Sequence, residues 1–243
     1  MKLISFFYNK DQIIFILSNL KTFMIDIFRL FKKITNEEVK IIDIINKNIK
    51  INSSTKILDI GSNSGLISKN LQSNKNNITL IDIDEFNTEP EIKFIKSSWE
   101  NAIIENRFDL IIVSHVWGHF GYKGTQQESF SKMIKHKEKN GKIVLCYNTN
   151  SYFMSKLVDF SKKLFRDFQY DYFDEDIIRN YNKKEIIFKV KLKTRNFSSL
   201  AELVKILIIL DDDKYYKRRV EEFLSSNLTK PEFEIEQKVI IIQ

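Results

Sequence analysis

Nine consecutive residues constrain the fold of this chain more than any others: Ile57-Leu58-Asp59-Ile60-Gly61-Ser62-Asn63-Ser64-Gly65. A short apolar strand ends in an acid and passes into a turn that holds two of the chain's six glycines. Leu66 to Leu71 then reads as the start of a helix. A strand that runs through a glycine turn into a helix is the unit from which open α/β sheets build nucleotide pockets. Glycine allows the backbone angles such a turn needs and lets a ligand come close.

The spacing excludes two better-known relatives. A G-x-G-x-x-G fingerprint begun at Gly61 requires glycine at positions 63 and 66, which hold Asn63 and Leu66. A P-loop requires Gly-Lys-Ser/Thr after the turn, which is absent. The remaining pattern is D-x-G-x-N-x-G. Asn is the residue other than glycine that best accepts left-handed angles, so Asn63 is compatible with the same turn.

Further strand signals follow in order. Ile78-Thr79-Leu80-Ile81-Asp82-Ile83-Asp84 is a second apolar strand ending in acid, and Asp82 stands 21 positions after Gly61. A carboxylate about 20 residues past the first glycine is where a nucleotide fold binds ribose hydroxyls. The alternative is that Asp82 or Asp84 caps the next helix. Ile92–Ile95 is a third strand, followed by Ser98-Trp99. Phe108 to His115 is the clearest strand of all. Lys142–Cys146, after an Asn140-Gly141 turn, is the fifth.

This ordered set, covering roughly residues 35 to 150, resembles the class I (Rossmann-like) S-adenosylmethionine-dependent methyltransferases and their D/E-x-G-x-G-x-G motif. The region after the fifth strand is similar to small-molecule N-methyltransferases with helical insertions there, such as the histamine type. The resemblance implies an α/β fold. Its doubly wound, seven-stranded sheet is mostly parallel with the last strand antiparallel, with N-terminal helices and helical insertions after strands 5 and 6. It implies S-adenosyl-L-methionine as cofactor. Asp59 and Gly61, Ser62, Asn63 and Gly65 would meet the methionine portion, Asp82 the ribose, and Ser98 and Trp99 the adenine, with Ile83 a further cofactor contact. Ser114 would lie at the edge of the crevice. Trp99 has a second reading as ordinary core.

Ser114-His115-Val116-Trp117-Gly118-His119 falls just past the fourth strand, where such sheets bind ligands. Histidine titrates near neutral pH, so His119 and His115 are the candidate proton acceptors. Their alternative role is local packing. Methylases of exocyclic nucleobase amines carry Asn/Asp-Pro-Pro-aromatic at this position, and this chain does not. The expected acceptor is a small molecule, methylated at N or O. An RNA or protein methyltransferase and a catalytically silent binding protein stay open as alternatives.

Composition sets the outer bounds. The chain has 243 residues, 43% of them hydrophobic, enough for one elaborated domain. Its expected parts are an N-terminal helical cover (1–50), a cofactor-binding core (51–150) and a substrate-side region with the last two strands (151–243), in which residues 174–181 read as a helix and Ser198, with Glu202 nearby, as the start of another. The net charge of +7 admits nucleic acid, yet the lysines are scattered and no cluster exceeds Lys217-Arg218-Arg219. A single Cys146 excludes an internal disulfide framework, and the three histidines form no zinc pattern with it. Residues 11–33 read as a long helix. Asn19, Lys21, Asp26 and Arg29 interrupt its apolar run, so it suits an amphipathic helix better than a membrane span. Cytoplasm is the expected compartment.

Overall fold

The structure, a computed structural model, describes residues 34–120, 125–164, 173–207 and 214–243; the side chains of 118–119, 205–207 and 214–216 are outside that set. The expected helix over 11–33 lies outside the described residues. The chain divides into two compact units. The larger comprises 37–156, 167–190 and 235–243, and the smaller 1–36, 157–166 and 191–234.

The larger unit begins with helix α1 (Glu37–Asn48), followed by β1 (Ile57–Ile60), α2 (Leu66–Leu71), β2 (Ile78–Asp82), β3 (Lys93–Lys96) and β4 (Phe108–Ser114). Then come α3 (Trp117–Phe120), α4 (Gln126–His136), β5 (Lys137–Asn148) and α5 (Tyr152–Leu164). The chain continues with β6 (Lys183–Lys193), α6 (Phe197–Leu207), α7 (Lys214–Asn227) and β7 (Glu232–Ile242). The seven strands form one sheet in the order β3-β2-β1-β4-β5-β7-β6. The pairs β1–β2, β1–β4, β2–β3 and β4–β5 are parallel, and β7 runs antiparallel to β5. The order reverses direction between β1 and β4, the switch point at which such sheets bind ligands.

The central strands are apolar on both faces because helices cover both. On one face Leu58, Ile60, Ile111, Val113, Ile143 and Leu145 pack with Trp117, Phe130 and Met133 from α3 and α4. On the other, Ile57, Leu110, Ile112 and Val144 pack with Ile41 and Ile45 of α1 and Ile67 and Leu71 of α2. The smaller unit packs α6 beside α7. Leu200, Leu203 and Val204 are buried there with Val220 and Leu224, and Lys217 Nζ lies 2.5 Å from Glu202 Oε1.

Four details differ from the sequence reading. Asn140-Gly141 is not a turn but part of β5, whose register against β4 jumps between Phe108↔Lys137 and Leu110↔Lys142. Gly141 is required there, since a Cβ would stand 2.8 Å from the Phe108 carbonyl oxygen. Residues 174–181, expected as a helix, form a short 3₁₀ turn over Glu175–Ile178, capped by the Asp174 side chain on the Asp176 N–H. The cap of α6 is Asn196, whose Oδ1 accepts from the Ser199 N–H, and not Ser198. Asp84 caps no helix, because the segment from β2 to β3 is an irregular connection.

Gly61 and Gly65 have φ of 65° and 72°. A Cβ at Gly61 would lie 2.1 Å from Val116 Cγ1, so this glycine serves both the left-handed turn and the packing of Val116. Gly61→Ala should therefore lower stability by about 2–4 kcal/mol, the combined size of a left-handed penalty and an overpacked contact, as measured by urea unfolding. Adding Val116→Ala should recover the steric part and leave the backbone part.

Candidate active site

The turn after β1 is held by backbone and side-chain bonds to β2. The Gly61 and Ser62 N–H groups both donate to the Ile81 carbonyl, at 2.8 and 3.1 Å. Asn63 takes a left-handed φ of 55°, and its N–H donates to Asp82 Oδ2 at 2.8 Å. Asp82 Oδ1 accepts from the Asp84 N–H at 3.0 Å. Asp82 thus fastens the glycine turn to the end of β2. A carboxylate oxygen accepts more than one bond, so capacity for a ligand's hydroxyls remains. Asp59 is 3% exposed and accepts from the Ser68 hydroxyl at 2.9 Å. Ser62 is buried beneath the same turn.

Next to Asp82, Ile83 presents an apolar side chain that is 68% exposed. An exposed isoleucine between two acids, at the end of a central strand, is the kind of surface that a flat ring covers. The Ser97 N–H donates to the Asp82 carbonyl, which draws the segment after β3 to the same edge. There the Ser98 hydroxyl accepts from Asn101 Nδ2 at 3.0 Å. Trp99 turns the other way. Its indole is buried in the core and its N–H donates to the Ser129 carbonyl at 3.1 Å. The Lys132 ammonium sits 4.5 Å from the ring centre and donates to the carbonyls of Trp99, Glu100 and Ala102. Of the two readings of Trp99, the packing supports the core one.

Beyond β4, Ser114 is half-buried and pairs in register with Cys146. His115 departs from strand alternation. Its φ is 58°, and its N–H donates to the Cys146 carbonyl at 2.9 Å. Regular alternation would send its ring to the face opposite Ser114. Instead the ring lies on the α1 face, with Nε2 3.7 Å from Cys146 Sγ and 3.1 Å from Glu37 Oε1. Glu37 opens α1 and is almost fully buried. It accepts from Gln237 Nε2 on β7, and that amide nitrogen also donates to Asn148 Oδ1 at 3.0 Å. The Glu37 carboxylate raises the His115 imidazole well above its ordinary range against the opposing effect of burial. Burial pushes the Cys146 thiol upward.

His119 lies in α3, and its side chain is outside the described set. The sequence reading missed Glu37, Gln237, Asn148 and Ser68. Glu37 was legible as one of two acids opening a helix, a usual position for acids, but nothing local marks it as buried. Among the described residues no group of His, Cys, Asp or Glu is placed to hold a metal ion. No helix among them is long and apolar enough to cross a membrane.

A family model described as a methyltransferase domain matches residues 33–197. No curated protein matches the chain. Among solved structures, a protein described as a methyltransferase from an antibiotic biosynthesis pathway of Anabaena variabilis aligns with a TM-score of 0.59 at 15% identity, over 84% of this chain and 97% of its own. One described as a methyltransferase from Bacillus halodurans gives 0.59 at 12% identity, over 85% and 98%. A cyclopropane-fatty-acyl-phospholipid synthase-like protein from Lactobacillus casei gives 0.56 at 13%, over 85% and 90%. At these identities the likeness is one of fold.

Ser68→Ala would leave the buried Asp59 carboxylate with one donor fewer. It should lower stability by about 1.5–3 kcal/mol, the size of a hydrogen bond to a charged group, read from the urea midpoint.

Proposed function

The chain belongs to the methyltransferase domain family, and from that premise we propose that it transfers a methyl group from S-adenosyl-L-methionine to a nitrogen or oxygen atom of a small molecule. The observation that carries the reading is the convergence of the left-handed Gly61–Gly65 turn, the Asp82 carboxylate and the exposed Ile83 at the β1/β4 switch point.

The residues fit the cofactor by their chemistry. Asp82, already aligned by the Asn63 and Asp84 amides, accepts from ribose hydroxyls, and Ile83 packs against adenine with Ser98 at its polar edge. The turn from Gly61 to Gly65 with Asp59 beneath it receives the methionine portion, and Ser114 closes the edge at β4. When bound, S-adenosylmethionine supplies an electrophilic methyl group on a sulfonium. The protein then contributes position and electrostatics. A small acceptor is supported by Ser114-His115-Val116-Trp117 standing where nucleobase methylases carry their Pro-Pro motif, and by a basic surplus without a long cluster. His115 and His119 are the candidate bases.

Calorimetry with S-adenosylmethionine and with its demethylated product tests the reading. Both should bind, and binding by neither would overturn it. Asp82→Asn should weaken both by about 10-fold or more, equivalent to roughly 1.5–3 kcal/mol for one charge-assisted bond. A matching loss should appear in Ile83→Asp, which places a charge where the ring would lie.

A further inference from the structure

Among the described residues, three other than glycine have a left-handed backbone: Asn36, Asn63 and His115, with φ of 52°, 55° and 58°. Such angles concentrate at functional sites, where the surrounding structure holds them against their own preference. Asn63 belongs to the glycine turn. The other two bear on a single pair, because Asn36 precedes Glu37 and His115 is its partner.

We propose that Glu37 and His115 form a proton-accepting dyad beside the cofactor crevice. In it His115 takes the proton that the methyl acceptor sheds, and Glu37 is the positioning residue that holds the ring. The inference rests on the methyltransferase reading above and adds Glu37 and Gln237 to it. The geometry assigns the tautomer. A carboxylate oxygen 3.1 Å from Nε2 requires a proton on that nitrogen, so Nδ1 carries the lone pair of the neutral ring. The His115 side chain is 21% exposed while Glu37 is buried behind it, so the pair has a wet end and a dry end. The dry end is fixed. The Gln237 amide must point its nitrogen at Glu37, since both Glu37 Oε1 and Asn148 Oδ1 are acceptors. This leaves the buried Gln237 Oε1 without a donor among the described residues, a cost set against the orientation of the carboxylate.

In the transfer, the X–H bond of the acceptor breaks and its electron pair forms the new bond from X to the methyl carbon. Above the ring's raised midpoint the proton goes to Nδ1 and then to solvent, and Glu37 balances the imidazolium so formed. Among the described residues, the titratable groups facing the ring from the packed elements are Glu37 of α1 and Cys146 of β5. Ser114 on its own strand and Asn148 and Gln237 behind Glu37 carry no charge. Glu37 raises the ring's titration, and with the Glu37 carboxylate ionised the pair is neutral while His115 holds its proton and carries one negative charge once it has lost it.

That charge change allows a test without a known acceptor. S-adenosylmethionine bears a sulfonium and its demethylated product does not, while the amino-acid and nucleoside parts of the two are the same. Their affinity ratio therefore reports the charge near sulfur, once the different α-amino titrations of the two free compounds, measured separately, are divided out. Calorimetry with both compounds across pH is run beside an NMR titration of the His115 ring, assigned by its loss in His115→Asn. The preference for the sulfonium should rise at least about threefold through the His115 midpoint, as expected for one unit charge roughly 6 Å away under water-like screening. In Glu37→Gln both the NMR midpoint and the step in the ratio should move to lower pH together. A ratio that stays flat across the wild-type midpoint overturns the proposal, as does a midpoint that Glu37→Gln leaves in place. The wild-type ratio needs no variant and stands even if Glu37→Gln fails to fold. If neither compound binds at any pH, the methyltransferase reading itself fails, and the NMR midpoints still report separately whether Glu37 governs the ring.

Discussion

The bond from the Asn63 amide to the Asp82 carboxylate is the contact on which the candidate site depends. β1 ends at Ile60 and the chain must leave the sheet at once, because α2 begins at Leu66. Five residues suffice only because three of them, Gly61, Asn63 and Gly65, take left-handed angles, which expose amide N–H groups that no ladder satisfies. The Ile81 carbonyl takes two of these and Asp82 takes the third. One carboxylate thus closes the turn and stands at the strand end where a ligand arrives. In the proposed function the group that closes the turn is also the one that would recognise the ligand, so the site would be built before the cofactor enters it.

Strand alternation does the rest. Asp59, Ser114, Cys146, Asn148 and Gln237 come from four strands, yet the ladders bring them to one face, with Ser114 opposite Cys146 and Asn148 opposite Gln237. That face is apolar deeper in the sheet, where Ile57, Leu110, Ile112 and Val144 meet α1 and α2. Polarity enters only toward the carboxyl ends of the parallel strands. A register slip of one residue would carry a strand's polar group to the opposite face, among the aromatic side chains of α3 and α4. Register is thus specified by the apolar residues and used by the polar ones.

What could be read in the sequence was local. The strands β1 to β4, the turn between β1 and α2, and the acid at Asp82 are each written in a few consecutive residues. The antiparallel β7 was legible from the resemblance that those residues support. The misreadings are contacts that local pattern does not encode. Asn140-Gly141 has the composition of a turn, but the close approach of the Phe108 carbonyl makes Gly141 part of an irregular ladder. Trp99 could equally have faced a ligand, and it is the Ser129 carbonyl, 30 residues away, that draws its N–H inward. Glu37 and Gln237 are 200 residues apart and meet only because α1 lies over the end of β7's ladder with β5.

His115, the proposed proton acceptor, shows most clearly why a strand pattern cannot locate every side chain. Counted along β4, positions 111 and 113 face α3 and α4 while 110 and 112 face α1 and α2, so residue 115 belongs by parity with 113. Its left-handed φ breaks the count and brings the ring beside Cys146 and Glu37. Histidine tolerates that angle better than most side chains but gains nothing from it as a packing residue, and Gly or Asn would turn the chain there at less strain. The geometry makes sense when the ring itself is what must be presented. Parity would have placed the imidazole among Trp117 and its neighbours, away from Glu37. The break in parity instead sets Nε2 against a buried acid while the side chain keeps 21% of its surface exposed.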